Sequence, residues 1–457
     1  MSAMRQPDLP LLRVFGDPVT AELLSAEATT QAWLDTEKAL ARAEADLGII
    51  PEAAVREIEA IATADRIDAD ALADATRLVG YPILPLIGQM GRAGSPEVAV
   101  SVHWGATTQD IMDTQLALQL ARVMDRAVAL LDQAGDRVAA LADEHRATVM
   151  AARTHAQPAV PTTFGAKAAV WLAELARHRE RLVGARSRAC RVSLFGAGGT
   201  AAALGPQSAE IRRRVAGALH LGQADVPWHT ARDSVAEAGF VLATTAATCG
   251  KIAREVIHLS RPEIGELREA LGHHRGASST MPQKANPIAS EIVVGMSSLA
   301  AQQVPALIAA MVPGHERAAG EWQIEWDALP LLAALANGSL WNTLEILAGL
   351  GVFADAMRRN LLVDGGTIMA EAAMFRLAPL IGRSAAHDVV YAACTAVREQ
   401  GSDLATVLLG TLAPELREQL GPIDEALDPA AYLGEVDAIV DAALAAWAAA
   451  RPPASGS

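Results

Sequence analysis

QDIMDTQLALQLARVMDRAVALLDQAGDRVAALADE, residues 109 to 144, decides the fold. Apolar side chains recur at Leu116, Leu120, Val123, Ala127, Leu130, Ala134, Val138 and Leu141, a three/four spacing held for about five heptads. That spacing predicts one continuous helix. At about 1.5 Å per residue it spans roughly 50 Å, more than a small domain needs and the length of an elongated bundle or an intersubunit core.

Working outward, similar patterns predict helices over about 162 to 189, 207 to 219, 232 to 268, 286 to 312 and 328 to 358, separated by Gly, Pro or polar residues. Amphipathic helices are expected before them over 20 to 48 and 52 to 78, and after them over 367 to 400 and 431 to 450. The resulting expectation is an all-α chain of three domains: an N-terminal helical domain (1–108), a central long-helix bundle (109–350) and a C-terminal helical domain (351–457). Composition agrees. Hydrophobic residues make up 51% and aromatic residues 4%, a balance that favours Ala/Leu-packed helices over aromatic, β-branched strands.

A formal net charge of -15 and the absence of a Lys/Arg-rich run exclude a general nucleic-acid or anionic-membrane binder, because both need an electropositive face. Three cysteines, Cys190, Cys249 and Cys394, support neither a disulfide framework nor a paired-cysteine metal site. No secretory or transit pattern is read at the N-terminus, so a cytoplasmic protein is expected. The uncharged run 292 to 314 is long enough to raise a membrane helix, but Ser297, Ser298, Gln302, Gln303 and Pro305 interrupt it. A buried bundle helix is the expectation there.

Four stretches concentrate groups suited to carboxylates. In RGASSTMPQKANPIASE (275–291), small residues and two prolines break any helix, while Lys284 and Asn286 offer a cation and an amide donor. It reads as a mobile anion-binding loop. In VHWGATTQDIMDT (102–114), Thr107 and Thr108 precede a helix whose first-turn N–H groups are available to a carboxylate; the plainer alternative is that Thr108 is only a helix cap. His103 either orients a neighbouring polar group or binds an anion. ARTHAQPAVPTTFG (152–165) places His155 in an irregular polar stretch, where an imidazole is suited to proton transfer near neutral pH. HERAAGEWQIEWDALP (315–330) adds Arg317.

Competing readings are weaker. His273-His274 invites a metal, but adjacent side chains diverge on a helix and nothing at ligand spacing completes the site; His315-Glu316 lacks the second histidine of a zinc-protease helix. FGAGGTAAALG (195–205) has glycines without a preceding strand, so dinucleotide binding is unsupported and close helix crossing is expected instead.

Taken together, SSTMPQKANP (278–287), GATTQDIMDT (105–114) and ARTHAQPAVPTTFG resemble the motifs of the fumarase/aspartase superfamily, in the same order and over nearly the whole chain. LDTEKALARAEADLGIIP (34–51), PWHTARD (227–233), HERAAGEWQIEWDALP and LDPAAYLGE (427–435) are most similar to its 3-carboxy-cis,cis-muconate cycloisomerase branch, which nitrosuccinate lyases also resemble; adenylosuccinate lyase is more distant. The resemblance implies a homotetramer with a 20-helix core, five long helices per subunit, active sites composed from three subunits, a small di- or tricarboxylate substrate and no cofactor. It implies that Ser278 is the general base, that Lys284 and Asn286 bind one substrate carboxylate and that Thr107 and Thr108 bind a second. His103, Thr154, Gln157 and Ser279 complete the implied substrate-binding set.

Two departures matter. Cycloisomerases of this branch commonly carry an apolar residue where this chain has His155, so this stretch is more similar to the elimination enzymes. The counterpart of the adenylosuccinate lyase RxRHDV segment is missing from GYPILPLIGQM (80–90), and Trp326 stands where a nucleotide-binding arginine is expected. The expected function is β-elimination from a C2-substituted succinate, with C–N cleavage giving fumarate and His155 and Arg317 near the leaving group. Lactonisation of 3-carboxymuconate is the alternative, and a catalytically silent, crystallin-like structural protein is the alternative from another class.

Overall fold

The computed structural model describes residues 9–270, 272, 275–281 and 283–451. Five long helices dominate: Thr108–Glu144, Phe164–Ala189, Asp233–Leu259, Ile288–Ala309 and Glu321–Ala348. The first has 37 residues, so at 1.5 Å per residue it spans about 55 Å, as its apolar spacing predicts.

Where the helices stop has local causes. Asp233–Leu259 ends well before the predicted residue 268, because Ser260 and Arg261 lead into Pro262, which offers no N–H to a continuing helix. The last long helix starts seven residues earlier than predicted, at Glu321, whose carboxylate accepts the Ala319 N–H at 3.1 Å. It then carries Pro330 inside. The predicted 367–400 helix is two, Ala370–Ile381 and Arg383–Gln400, broken at Gly382 with φ of 85°.

The described chain falls into two compact units. One comprises residues through Asp132, His178–Lys251 and Ile292–Asn342. Its core packs Leu34, Leu40 and Ala43 of the Ala26–Ala45 helix with Ile58, Leu86, Val192, Ile211 and Val215. The other comprises Gln133–Arg177, Ile252–Glu291 and the chain from Thr343 onward. Its core collects Ile368, Leu377, Val390, Val397, Leu404 and Leu408.

A short β-hairpin interrupts the helices where an irregular stretch is predicted. Val149–Thr154 pairs antiparallel with Gln157–Thr163, and His155 and Ala156 form its two-residue turn with φ of 50° and 63°. Two consecutive left-handed residues are what a type I′ turn requires to match strand twist. The sequence carries neither Asn nor Gly there, so the turn is illegible from composition.

Among the described residues, Ile288–Ala309 is the helix whose length and composition would allow it to cross a membrane, and 28% of its most apolar window is buried. Val293, Met296, Ala300 and Leu307 form a packed stripe, whereas Leu299 and Ile308 are exposed. The expected buried bundle helix is packed along one side within a single chain.

Candidate active site

In the first unit, several candidate residues gather at the start of the Thr108–Glu144 helix. Thr107 takes the N-cap position and its N–H is accepted by Asp110 Oδ2 at 3.1 Å, the returning half of a capping box. The hydroxyl of Thr107 does not close onto the first turn. It accepts instead from Arg317, at 3.3 Å from Nη1 and 3.4 Å from Nη2, while Nη2 also donates to the Ala197 carbonyl at 3.2 Å. Thr108 is the first helical residue, so the plain reading of Thr108 as the cap is replaced by Thr107.

Asp110 is buried and holds three segments together. Its Oδ1 accepts from the Phe195 N–H at 2.9 Å and from His229 Nε2 at 2.8 Å, and its Oδ2 accepts from the Gly196 N–H at 2.8 Å. The glycines of 195–205 accordingly shape a loop rather than a helix crossing. Gly196, Gly199 and Gly205 have positive φ, and this left-handed backbone is what turns the Phe195 and Gly196 amides toward Asp110.

His103 stands four residues before Thr107, in a left-handed conformation with φ of 64°. Its Nδ1–H donates to Glu37 Oε1 at 2.7 Å, and the Glu37 side chain is fully buried. Burial acts to discharge this imidazole, but the Glu37 carboxylate outweighs it and holds the His103 pKa above its ordinary value. Glu44, two turns along the same helix, is buried without a hydrogen-bond partner for either oxygen among the described residues. Burial, then the neighbouring charge of Glu37, pushes its carboxyl up to about 9, so it is held neutral at physiological pH.

A second buried cluster involves the same helix. Arg232 donates from Nε to Glu325 Oε1 at 2.9 Å, from Nη2 to Glu325 Oε2, and from Nη1 to Asp113 Oδ2 at 3.0 Å. Gln109 Nε2 also donates to Asp113 Oδ2, at 3.1 Å.

In the second unit, the other sequence-derived candidates occupy two loops. Thr154, His155 and Gln157 are exposed at the tip of the β-hairpin. Arg153 anchors its base by donating to both Glu266 oxygens at 2.9 and 2.6 Å. Ser278, Ser279, Lys284 and Asn286 lie on the 275–287 loop, which folds on itself through an Ala277–Ala285 bridge. The Asn286 N–H and its Nδ2 both donate to the Gly276 carbonyl, at 3.0 and 3.1 Å. Asn286 thus closes the loop as well as offering an amide, a role its sequence position does not reveal. Gly276 has φ of 67°, and a Cβ there would collide with Asn286 O.

Ser278 Oγ accepts from two backbone amides, Met281 N–H at 3.2 Å and Thr280 N–H at 3.4 Å. Two donors on one hydroxyl oxygen are the arrangement that stabilises an alkoxide. Glu269 fixes the exit of the loop: its carboxylate accepts from Ser290 N–H at 2.8 Å and Ser290 Oγ at 2.6 Å, and caps the Ile288–Ala309 helix.

The predicted set therefore falls into His103, Thr107, Thr108 and Arg317 in one unit, and the hairpin-tip and loop residues in the other. Sequence reasoning missed Asp110, although its spacing from Thr107 is a capping signal, and missed Glu37, Glu266 and Glu269, whose partners lie far along the chain. None of the three cysteines forms a disulfide, and burial pushes the Cys190 thiol up to about 12. The His273-His274 pair lies outside the described residues.

A further regularity concerns the backbone. Among the described residues, six non-glycine positions have positive φ, and His103, His155, His220 and His315 account for four of them. His220 caps a helix end, while the other three sit beside candidate site residues.

A family model described as Lyase matches residues 16–302, and one described as Adenylosuccinate lyase C-terminus matches residues 366–443. A 3-carboxy-cis,cis-muconate cycloisomerase of Pseudomonas aeruginosa is 43% identical over 431 residues, covering 93% of each chain. A nitrosuccinate lyase of Streptomyces davaonensis is 38% identical, covering 94% of this chain and 92% of its own. The crystal structure of a 3-carboxy-cis,cis-muconate lactonizing enzyme from Pseudomonas putida superposes with a TM-score of 0.90 at 37% identity, over 96% of this chain and 99% of that one. With an all-α fold of five long helices and matches spanning nearly its whole length, the chain belongs to the fumarase/aspartase superfamily of lyases.

Proposed function

We propose that this chain catalyses β-elimination from a C2-substituted succinate, breaking a C–N bond and releasing fumarate. The observation that carries the proposal is Ser278, whose Oγ receives the Thr280 and Met281 amides and so has stabilisation ready for an alkoxide. As base, Ser278 removes a proton from C3. The C–H electron pair first resides in the adjacent carboxylate as an aci-carboxylate dianion, then forms the C2=C3 bond as the C2–N pair leaves with nitrogen. Lys284 and Asn286 stabilise the developing charge, a kind of donor whose removal typically costs about 10² to 10³ in rate.

Thr107, Thr108, His103 and Arg317 hold the second carboxylate, with Ser279, Thr154 and Gln157 lining the substrate. The Arg317 guanidinium donating to the Thr107 hydroxyl supports an anion there. His155 protonates an amine leaving group. Its exposed position at a two-residue turn suits a residue that meets substrate rather than one that fills a core.

Lactonisation of a 3-carboxymuconate is the second reading, favoured by the likeness to the Pseudomonas cycloisomerase and lactonizing enzyme. It runs the same carboxylate chemistry in the addition direction. We further propose a homotetramer with composite sites, supported by exposed apolar side chains Val170, Phe240, Leu299 and Ile308 on the long helices.

The test is a spectrophotometric assay with substituted succinates and with 3-carboxymuconate. Fumarate release from the former, abolished in Ser278→Ala with unchanged oligomer size, is the expected result. Near-normal turnover in that variant refutes the base assignment, and turnover of the muconate alone refutes elimination.

A further inference from the structure

Glu266 and Glu269 stand three residues apart in the second unit and are both buried, at 0% and 6% exposure. On a helix that spacing puts two side chains on one face, but in extended chain successive side chains alternate, so an odd spacing sends them to opposite faces. The segment between them is extended. Leu267 and Arg268 pair antiparallel with Val352 and Gly351, and the Phe353 N–H donates to the Glu266 carbonyl at 3.0 Å. The Arg268 guanidinium lies 4.7 Å over the Phe353 ring, and Gly349 permits the close approach, since a Cβ there would collide with the Ala270 Cβ.

Each carboxylate holds a different candidate element. Glu266 takes both Arg153 donors at the root of the hairpin, and its Oε1 also accepts from Asn360 Nδ2 at 2.7 Å. The hairpin register shifts between Ala152 and Arg153, an irregularity of the kind that re-aims side chains, just before His155. Glu269 holds the exit of the Ser278 loop. Besides the two Ser290 donors, it accepts the Ala289 N–H on Oε2 at 3.3 Å, just beyond the Asn286 that closes the loop on Gly276. Three residues of extended chain, about 10 Å, therefore join the hairpin root to the loop exit.

The chemistry makes that join stiff. A buried carboxylate that loses its partner is left both unsolvated and unpaired, so neither acid can release its element freely, whereas apolar contacts can slide. Two-point contacts also fix direction. We propose that Glu266 and Glu269 are positioning residues that lock the His155 hairpin and the Ser278 loop of one chain to each other, so that a shift at either element reaches the other. The roles of His155 and Ser278 rest on the elimination reading above, and the linkage itself is measured without turnover.

Amide hydrogen exchange on the full-length protein reads the linkage. Arg153→Lys keeps the charge and loses the two-point contact with Glu266, while Ser290→Ala removes a hydroxyl from Glu269 and keeps the N–H. Arg153→Lys is expected to speed exchange at least about threefold in 276–291 as well as in the hairpin. Ser290→Ala is expected to do the same in 149–163 as well as in the loop, and Ser290→Thr to restore wild-type rates. Asn360→Ala, which strips a neutral donor from Glu266 and leaves the ion pair, gives the same two-sided pattern. Exchange in Arg383–Gln400, a core helix of the same unit, stays unchanged. Changes confined to the mutated element, or an equal rise in all three segments, overturn the proposal.

Kinetics give a second measure. Sites about 10 Å apart with no shared partner act independently, so their effects on kcat multiply. Relative to wild type, kcat of the Arg153→Lys/Ser290→Ala double variant is expected to lie at least about threefold above the product of the single values, and simple multiplication overturns the linkage. Two-sided exchange without turnover of any substituted succinate overturns the elimination reading and supports the linkage. Fumarate release with exchange changes confined to the mutated element overturns the linkage and supports elimination.

Discussion

Replacing Glu44 by Gln is expected to stabilise the protein increasingly as pH rises. Glu44 is fully buried, neither carboxyl oxygen has a partner among the described residues, and burial with the charge of Glu37 pushes its pKa from the ordinary 4.5 up to about 9. A carboxyl raised in the folded state binds its proton more tightly there than in the unfolded chain. The stability this contributes is fully present below pH 4.5 and is lost as pH climbs to about 9. Each pH unit inside that window costs about 1.4 kcal/mol, so from about pH 6 to about pH 8.5 wild type loses up to roughly 3 kcal/mol through this residue alone. Glutamine keeps the shape and has no proton to lose. Urea unfolding of wild type and Glu44→Gln at fixed protein concentration across that range isolates the effect, because every other titrating group cancels in the difference. A stability gap that stays constant with pH refutes the reasoning.

Three further outcomes follow from the same geometry. Glu37→Gln removes the carboxylate that raises the His103 pKa against burial, so an alkaline limb of kcat/KM set by His103 moves to lower pH; an unmoved limb contradicts a titrating role for His103 at the substrate. Gly276→Ala forces a left-handed alanine against Asn286 O, and kcat is expected to fall at least about tenfold with unchanged far-ultraviolet circular dichroism. Asp110→Asn weakens the contacts to His229, Phe195 and Gly196 and is expected to cost about 1–3 kcal/mol of stability, measured by denaturant unfolding, together with a higher KM.

Periodicity made the long helices legible because a helix that packs along its length must repeat its apolar residues. Helix ends were harder: Pro262 stopped one helix, yet Pro330 lies inside another, where tertiary packing overrides local preference. The hairpin turn at His155-Ala156 was invisible, since its left-handed residues are imposed by the paired strands and not by Gly or Asn. The loop residues were recognisable by type, but their geometry was not. Nothing in SSTMPQKANP announces that Asn286 spends an amide proton on Gly276, or that Ser278 already holds two donors. The buried acids Glu37, Glu44 and Asp110 are the least legible, because their meaning depends on partners brought by distant segments.

The left-handed histidines at 103, 155 and 315 carry a consequence for directed evolution. A Cβ costs about 1–2 kcal/mol in that backbone region; glycine escapes the cost, and the short polar side chain of asparagine offsets part of it by local hydrogen bonding. Libraries selected for heat tolerance alone should drift toward glycine or asparagine at these three codons and lose turnover as they do so. Libraries selected for turnover should retain histidine and recover heat tolerance elsewhere, so sequencing both pools reads out which strained positions the chemistry requires.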